Sequence, residues 1–216
     1  MFMRLNETLC QNWKLYVITD AEAAGKRPLL EVVRQALEGG ADVVQLRDKI
    51  LSDSEMTALA RLILQLTRPR NIPLIINDRV LVSKASGADG VHLGQLDASL
   101  EEARAHLGPD ALVGRSTHSP TQALEAQAQG FDYIGIGPVF RTPTKPSYEP
   151  VGLELVRFAK ENIHIPFVAI GGIDQTNAHR VVEAGASAVA VVRAVMGSPD
   201  PRLSAIKIKE ALLGRP

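Results

Sequence analysis

Two cationic side chains, Arg47 and Lys49, follow a short apolar segment of the chain and could bind an anion. Side chains alternate along an extended strand, so Gln45, Arg47 and Lys49 are predicted to share the inward face that Val43 begins. A cation that points into a protein interior is costly unless an anionic group meets it. The spacing therefore indicates a phosphate or pyrophosphate clamp. A salt bridge to a carboxylate across the mouth of the site, or a solvated surface pair, would use the same residues.

Two aspartates, Asp78 and Asp97, each follow one of two consecutive apolar segments. Adjacent parallel strands lie about 4.8 Å apart, so carboxylates at the ends of such strands can converge. Mg²⁺ keeps several waters and takes few protein ligands, and two carboxylates beside a cationic clamp fit a metal-bound diphosphate. Each aspartate could instead cap a helix, and Ser99 with Glu102 resembles a capping box.

Ser116 and His118 close another apolar segment and offer a hydroxyl and an imidazole. Histidine titrates near neutral pH, which would suit a general base. No aspartate lies near His118 in the sequence to suggest a catalytic triad. A loop residue before a helix is the alternative interpretation of His118.

The longest connection, residues 138–151, contains Thr142, Pro143, Thr144 and Lys145. Loops of this length are often lids or binding loops, and the hydroxyls, amides and ammonium group could hold phosphate oxygens. A plain proline-rich surface loop is the alternative.

Two further segments could supply a phosphate site through the backbone. Gly171 and Gly172 form a pair that lets amides approach an anion, and Val192 and Arg193 end the last apolar segment. In barrels of alternating strands and helices, the loops after strands 7 and 8 commonly bind phosphate.

The remaining candidates are predicted to be structural. His92 is expected to be a hydrogen-bonded interior histidine, Trp13 to pack under the barrel, and Cys10 to lack an activating neighbour. The sixth apolar segment contains no lysine, which argues against one Schiff-base aldolase design.

Short apolar segments rich in Val and Ile alternate with segments of helical period, as buried parallel strands and their crossover helices do. The predicted strands are Leu15–Thr19, Asp42–Arg47, Leu74–Asn77, Gly90–Leu93, Leu112–Ser116, Tyr133–Gly137, Phe167–Ile170 and Ala188–Val192. The predicted helices include 29–39, 54–68, 99–107, 120–130, 153–162, 175–185 and 203–213.

Eight such units in 216 residues predict an α/β fold, a single (β/α)8 TIM barrel spanning residues 1–216, with residues 1–13 as an N-terminal extension. A doubly wound open sheet is the rival, and the absence of GxGxxG after the first strand disfavours it. A recurring phrase leads from a glycine at the end of a helix into the next strand, at 39–43, 130–134 and 185–189 with a variant at 86–90. Three of these four segments contain an aspartate: Asp42, Asp89 and Asp132. In such a barrel the candidate residues above would all gather at the C-terminal ends of the strands.

The composition excludes several classes of protein. The chain is 45% apolar and 22% charged, and 24 cationic residues balance 24 acidic ones, so no global field favours nucleic acid or an anionic membrane. No apolar run approaches the length of a membrane span, and the N-terminal twelve residues do not resemble a signal peptide. A single cysteine, Cys10, cannot form an internal disulfide, which favours a cytoplasmic location. A homo-oligomer is compatible with the sequence.

Together these residues resemble the thiamine phosphate synthase family across residues 14–212. The matching motifs are Tyr16-Val17-Ile18-Thr19-Asp20, Gln45-Leu46-Arg47-Asp48-Lys49, Ile76-Asn77-Asp78-Arg79, Gly90-Val91-His92-Leu93-Gly94-Gln95-x-Asp97, Gly114-x-Ser116, Gly135-x-Gly137-Pro138-Val139-Phe140, Thr142-Pro143-Thr144-Lys145 and Ile170-Gly171-Gly172-Ile173. Their order across six strand ends makes the resemblance specific.

The resemblance implies a transferase of thiamine biosynthesis. Hydroxymethylpyrimidine diphosphate would lose pyrophosphate, and the nitrogen of a thiazole phosphate, or of its carboxylated form, would attack the methylene carbon. By position, the pyrimidine diphosphate would contact Gln45, Leu46, Arg47, Asp48, Lys49, Asn77, Ser116 and Lys145, with Arg47, Lys49, Ser116 and Lys145 as the catalytic residues. Mg²⁺ would bind Asp78 and Asp97. The thiazole phosphate would contact Thr142, Pro143, Thr144, Gly172, Val192 and Arg193.

Two other functions remain as alternatives. A sister family, the thiazole tautomerase, resembles the segment around Ser116 and His118, where a histidine would move protons. That family is expected to lack the paired carboxylates and the Thr-Lys loop, both present here. A non-catalytic sensor of a phosphorylated ligand would need neither the metal pair nor the clamp. In the synthase, charge stabilisation and positioning are expected to dominate, with no essential histidine.

Overall fold

The computed structural model describes residues 10–144 and 149–214. Residues 1–9, which make up most of the predicted N-terminal extension, lie outside the described residues, as do 145–148 and 215–216. The predicted substrate-binding and catalytic residue Lys145 falls in the second of these segments.

Eight short parallel strands close into one barrel in chain order. They are β1 (Leu15–Ile18), β2 (Val43–Leu46), β3 (Leu74–Asn77), β4 (Gly90–Leu93), β5 (Leu112–Thr117), β6 (Tyr133–Ile136), β7 (Phe167–Ile170) and β8 (Val189–Val191). Tyr16 of β1 lies opposite Val43 of β2 and Ala190 of β8, which closes the sheet. The (β/α)8 barrel is confirmed, and the open doubly wound sheet is excluded because the described strands leave no free edge.

Helices follow every strand and pack around the barrel. They are α1 (Ala21–Ala24), α2 (Leu29–Glu38), α3 (Asp53–Thr67), α4 (Val80–Ser86), α5 (Leu100–Leu107), α6 (Pro120–Gln129), α7 (Gly152–Asn162), α8 (Ala178–Glu183), α9 (Arg193–Met196) and α10 (Pro201–Leu212). A 3₁₀ turn, Arg68–Arg70, follows α3. None of the helices in the described ranges is long and apolar enough to span a membrane.

The capping box predicted at the start of α5 is present. Ser99 Oγ accepts a hydrogen bond from the backbone N–H of Glu102 at 3.1 Å, and the Glu102 carboxylate accepts one from the N–H of Ser99 at 2.7 Å. The two bonds satisfy N–H groups that have no partner within the helix. The hydrogen bond from the Ser99 N–H to the carboxylate is the largest cause that lowers the pKa of Glu102.

The recurring aspartates tie neighbouring strands together at the lower end of the barrel. Asp42 accepts a hydrogen bond from the N–H of Leu15 at 2.9 Å. Asp89 and Asp132 make equivalent bonds to the backbone of β3 and β5, at 2.8 and 2.7 Å. Each carboxylate satisfies an N–H group where a strand begins, which is the physical reason for the repeated phrase seen in the sequence.

Replacing Asp132 with alanine is expected to lower the free energy of unfolding by about 3 kcal/mol. Its carboxylate is 1% exposed and pairs with Arg104 at 2.6 Å, so the substitution leaves a largely buried guanidinium without its carboxylate partner. For a chain of this size the melting temperature should fall by roughly 6–12 °C, measured by circular dichroism.

The exposed pair Glu154–Arg157 provides the matched control, since both side chains are more than half exposed. Glu154→Ala is expected to change stability by less than about 0.5 kcal/mol. Equal melting temperatures for Asp132→Ala and the wild-type protein would contradict the role given to the buried carboxylate.

An aromatic cluster fills the lower interior of the barrel. Trp13, which lies just before β1, packs edge-on against Tyr16 and Tyr133 with ring centroids 5.8 and 5.1 Å away. Cys10 is buried in the same cluster. The prediction that Trp13 packs under the barrel is confirmed, and Cys10 packs with it at this end of the barrel.

Candidate active site

A cavity of about 490 Å³ opens at the C-terminal ends of the strands. Residues from all eight strands or their following loops line it, as expected for a barrel of this type. Ten of the residues predicted to bind substrate are among them: Gln45, Arg47, Asn77, Ser116, Thr142, Pro143, Thr144, Gly172, Val192 and Arg193. The size and the mixture of polar and apolar groups suit a small organic ligand.

Arg47 faces the cavity from the end of β2. Thr19 Oγ1 accepts a hydrogen bond from the Arg47 N–H at 2.9 Å and donates one to its carbonyl at 3.2 Å, so the backbone is held from β1. Among the described residues, no carboxylate lies within ion-pair distance of the guanidinium. The salt bridge that was the alternative for this cation is therefore not formed within the described ranges, and the charge is available to an anionic ligand.

The other residues predicted to bind the diphosphate from the loop after β2 are outside the cavity lining. β2 ends at Leu46, so the alternation that placed Lys49 on the interior face does not continue, and Lys49 is exposed outside the cavity lining. The Leu46 side chain is buried in the cluster between the sheet and its helices, and only its backbone can face a ligand. Asp48 accepts hydrogen bonds from the N–H groups of Ile50 and Leu51, both at 2.7 Å, and so shapes the loop.

Asp78 and Asp97 follow the adjacent strands β3 and β4, and both are exposed at the rim rather than in the cavity lining. Asp78 adopts a left-handed backbone with φ of 62°. Its N–H donates to the carbonyl of His92 at 2.8 Å. A left-handed conformation costs a non-glycine residue free energy, and such residues often lie at functional sites.

The Asp97 carboxylate accepts a hydrogen bond from the N–H of Gly94 at 2.6 Å, which folds the loop after β4. A Cβ atom on Gly94 would lie 2.8 Å from that carboxylate oxygen, so glycine leaves the space that Asp97 occupies. Two exposed aspartates on adjacent loops fit an ion that keeps most of its waters and takes further ligands from a diphosphate. The residues that the structure describes contain no cluster of three or more acidic, His or Cys side chains that would hold a metal alone.

Two arginines fix the loops that carry these aspartates. Arg79 donates to the carbonyl of Leu51 at 2.7 Å and so links the Asp78 turn to the loop after β2. Arg115 donates to the carbonyls of Gln95 and Ala98 at 3.2 and 3.3 Å, on either side of Asp97.

A continuous chain of hydrogen bonds crosses the floor of the cavity. It runs from Gln45 Nε2 to Tyr16 OH at 2.8 Å, to Tyr133 OH at 3.0 Å, to His92 Nδ1 at 3.1 Å, and from His92 Nε2 to Ser116 Oγ at 2.9 Å. The prediction that His92 is hydrogen-bonded in the interior is confirmed, and the ring also faces the cavity. Sequence reasoning places Tyr16 in a motif and Tyr133 at the start of a strand and gives neither a role, although a tyrosine on the inward face of a strand needs a polar partner.

His118 lies in the turn before α6, as its alternative interpretation held. Its Nδ1 donates to the carbonyl of Gly137, and its backbone N–H donates to Gln122 Oε1 at 2.7 Å. The ring lines the cavity. The hydrogen bond to Gly137 places the proton on Nδ1.

The loop after β6 is packed against the end of β7. The N–H groups of Val139 and Phe140 donate to the carbonyls of Ile170 and Gly171 at 2.8 and 3.0 Å. A Cβ atom on Gly171 would lie 2.5 Å from the Cα atom of Pro138, and both glycines of the pair have positive φ. The glycine pair therefore has a packing role beside the anion-binding role predicted for Gly172.

Proteins of known family resemble this chain over nearly its whole length. A family model described as thiamine monophosphate synthase matches residues 15–195. A thiamine-phosphate synthase of Roseiflexus sp. is 46% identical over 188 residues, which are 87% of this chain and 80% of that protein. One of Thermus thermophilus is 45% identical over 203 residues, which are 93% of this chain and 98% of that protein. The solved structure of a thiamine phosphate pyrophosphorylase from Pyrococcus furiosus has a TM-score of 0.87 at 40% identity and covers 95% of this chain and 98% of that one.

Proposed function

This chain belongs to the thiamine monophosphate synthase family, and we propose that it joins hydroxymethylpyrimidine diphosphate to a thiazole phosphate, or to its carboxylated form. The products are thiamine phosphate and pyrophosphate. The observation that carries the proposal is that Arg47 lines the cavity and has no carboxylate partner among the described residues. A cation in that position suits a diphosphate that leaves during the reaction.

The two substrates are assigned to opposite sides of the cavity. The pyrimidine diphosphate lies over β2, β3 and β5, where Gln45, Asn77 and Ser116 present polar groups and Arg47 presents charge. Backbone groups of the loop after β2, at 46–49, complete this side. Lys145 lies outside the described residues and stays a predicted contact of the diphosphate.

The thiazole phosphate lies over β6, β7 and β8. Thr142 and Thr144 offer hydroxyl groups, although the Thr142 hydroxyl already accepts a bond from the Thr144 N–H at 3.3 Å. Gly172 and Val192 offer backbone groups, and the exposed Arg193 offers a cation at the edge of the cavity.

The chemistry requires charge stabilisation more than proton transfer. The bond between the methylene carbon and the diphosphate oxygen breaks with its electron pair on the leaving pyrophosphate, and Arg47 stabilises that charge. The thiazole nitrogen then forms the new bond with its own lone pair. It has no proton to lose, so no general base is needed. The site contributes by holding the nitrogen and the carbon in line.

Asp78 and Asp97 are the residues proposed to hold Mg²⁺, since both are exposed acidic residues on adjacent loops. When bound, Mg²⁺ supplies positive charge to the diphosphate oxygens. Arg79 and Arg115 hold the loops that carry these aspartates, so both carboxylates stay at the rim, beside the place assigned to the diphosphate.

Product analysis tests the proposed function. The full-length protein is incubated with both organic substrates and Mg²⁺, and the mixture is analysed by mass spectrometry for thiamine phosphate. The proposal predicts this product only when both substrates are present. A parallel incubation of the thiazole phosphate alone in D₂O tests the tautomerase alternative, which the family matches do not support. Deuterium uptake into the thiazole without joined product would overturn the synthase proposal.

A further inference from the structure

The polar layer beneath the cavity is unusual for a barrel of this type. Barrel interiors are commonly filled by branched apolar side chains in layers. Here Tyr16, Tyr133 and His92 occupy one layer and connect Gln45 on β2 with Ser116 on β5. The two ends of this relay both line the cavity, so it joins two of the residues predicted to contact the substrate.

One direction of donation gives every tyrosine O–H of the relay an acceptor. The amide nitrogen of Gln45 can only donate, so the Tyr16 oxygen accepts that bond. Either hydroxyl of the Tyr16–Tyr133 pair can donate, and donation from Tyr16 to Tyr133 is the direction that gives the Tyr16 O–H an acceptor within the relay. Tyr133 then donates to Nδ1 of His92. An imidazole that accepts at Nδ1 carries its proton on Nε2, and this proton is donated to Ser116 Oγ.

We propose that the relay of Gln45, Tyr16, Tyr133, His92 and Ser116 holds His92 as its Nε2–H tautomer and makes the Ser116 hydroxyl a hydrogen-bond donor toward the ligand. Ser116 accepts from His92, so its own proton is directed to another acceptor. Tyr16, Tyr133 and His92 are positioning residues, because they act on the ligand through Ser116 and Gln45. The choice of ligand rests on the proposed function: a ring nitrogen of an aminopyrimidine has the lone pair that such a donor recognises.

Two glycines in neighbouring strands make room for the relay. A Cβ atom on Gly114 would lie 2.2 Å from Tyr133 Cζ and 2.6 Å from His92 Nδ1. A Cβ atom on Gly135 would lie 3.3 Å from His92 Cε1. Glycine inside a strand weakens the strand. It is used here because a Cβ atom would crowd the rings of Tyr133 and His92.

The tyrosines remain donors throughout the neutral pH range. Burial raises the pKa of Tyr16 and of Tyr133 well above the ordinary value for a phenol. Both hydroxyls therefore keep their protons under the conditions in which the enzyme would be assayed, and the direction of the relay does not depend on the ionisation of a tyrosine.

Nitrogen NMR of the histidine rings tests the inference on the full-length protein without substrate. The protein is labelled with ¹⁵N-histidine, and long-range ¹H–¹⁵N spectra distinguish protonated from unprotonated ring nitrogens. The signals of His92 are identified by their loss in His92→Gln. The relay predicts an unprotonated Nδ1 and a protonated Nε2 in the wild-type protein. A His92 ring with its proton on Nδ1 would overturn the inference.

Tyr133→Phe removes the donor to Nδ1 and keeps the aromatic ring. His92 should then show a mixture of tautomers, and kcat should fall by about tenfold, the equivalent of about 1.4 kcal/mol. Tyr16→Phe, which separates Gln45 from the relay, should change the spectrum in the same direction. An unchanged His92 spectrum in both variants would overturn the inference.

Thr117→Val is the matched control on β5. It also removes a buried hydroxyl, which donates to the Gly135 carbonyl at 3.0 Å, but it does not touch the relay. Its His92 tautomer and kcat should equal those of the wild type. The spectrum separates the two proposals: a protein that forms no thiamine phosphate but has the Nε2–H tautomer contradicts only the proposed function. A synthase with the opposite tautomer contradicts only the relay.

Discussion

Arg47→Ala is expected to lower kcat/KM for the pyrimidine diphosphate by roughly 10²–10³-fold, the usual cost of removing one group that stabilises developing charge. Arg47 lines the cavity, and no carboxylate among the described residues is paired with its guanidinium. Its positive charge is therefore available to the leaving pyrophosphate. Steady-state kinetics with each substrate varied in turn measure the effect, and KM for the thiazole phosphate should change little.

Two further variants make this result specific. Arg47→Lys keeps the charge but loses the bidentate geometry, and it should recover part of the activity. Arg34→Ala is the control, because Arg34 lies on the solvent side of α2 and pairs with Glu31 and Glu38. It should leave kcat/KM unchanged. An Arg47→Ala enzyme within about threefold of the wild type would contradict the role assigned to this residue.

Asp78→Asn and Asp97→Asn are each expected to lower kcat/KM by roughly 10²–10³-fold at a Mg²⁺ concentration that saturates the wild type. Loss of one of two carboxylates weakens the proposed metal site. Asparagine can still accept a hydrogen bond through its side-chain oxygen. The bond from Gly94 that folds the loop around Asp97 can therefore be kept, and the loss should reflect charge rather than misfolding.

Metal binding gives a readout that does not depend on turnover. Titration of the free protein with Mn²⁺, followed by electron paramagnetic resonance, should show affinity at least tenfold weaker in either variant. Glu125→Gln is the matched control, since this exposed carboxylate lies on α6 away from the cavity. Wild-type Mn²⁺ affinity and wild-type turnover in both aspartate variants would contradict the assignment of the metal site.

The positions of the strand ends could be predicted from the sequence with little error. Parallel strands buried on both faces appear as continuous apolar segments, and all eight predicted strands agree with the structure to within one residue at each end. The barrel then determines which loops meet. Residues as distant in the chain as Gln45 and Arg193 could be assigned to one cavity before any contact between them was known.

The details that escaped sequence reasoning depend on where a strand stops and on contacts between distant residues. Alternation predicts Lys49 on the inward face, but β2 ends three residues earlier and the rule no longer applies. Tyr16 and Tyr133 are 117 positions apart, and their hydrogen bond arises only when the barrel closes. Single-sequence periodicity reports which face a side chain occupies and carries no information about its partner across the interior.

Pyrophosphate release is the most direct test of the central claim that this barrel joins two substrates with loss of pyrophosphate. The wild-type protein is assayed with both organic substrates and Mg²⁺, then with each substrate omitted, then with EDTA. We predict one pyrophosphate for each thiamine phosphate formed, and release only in the complete mixture. Two results would contradict the claim. One is pyrophosphate release without the thiazole phosphate at the level of the complete mixture, and the other is no release in the complete mixture.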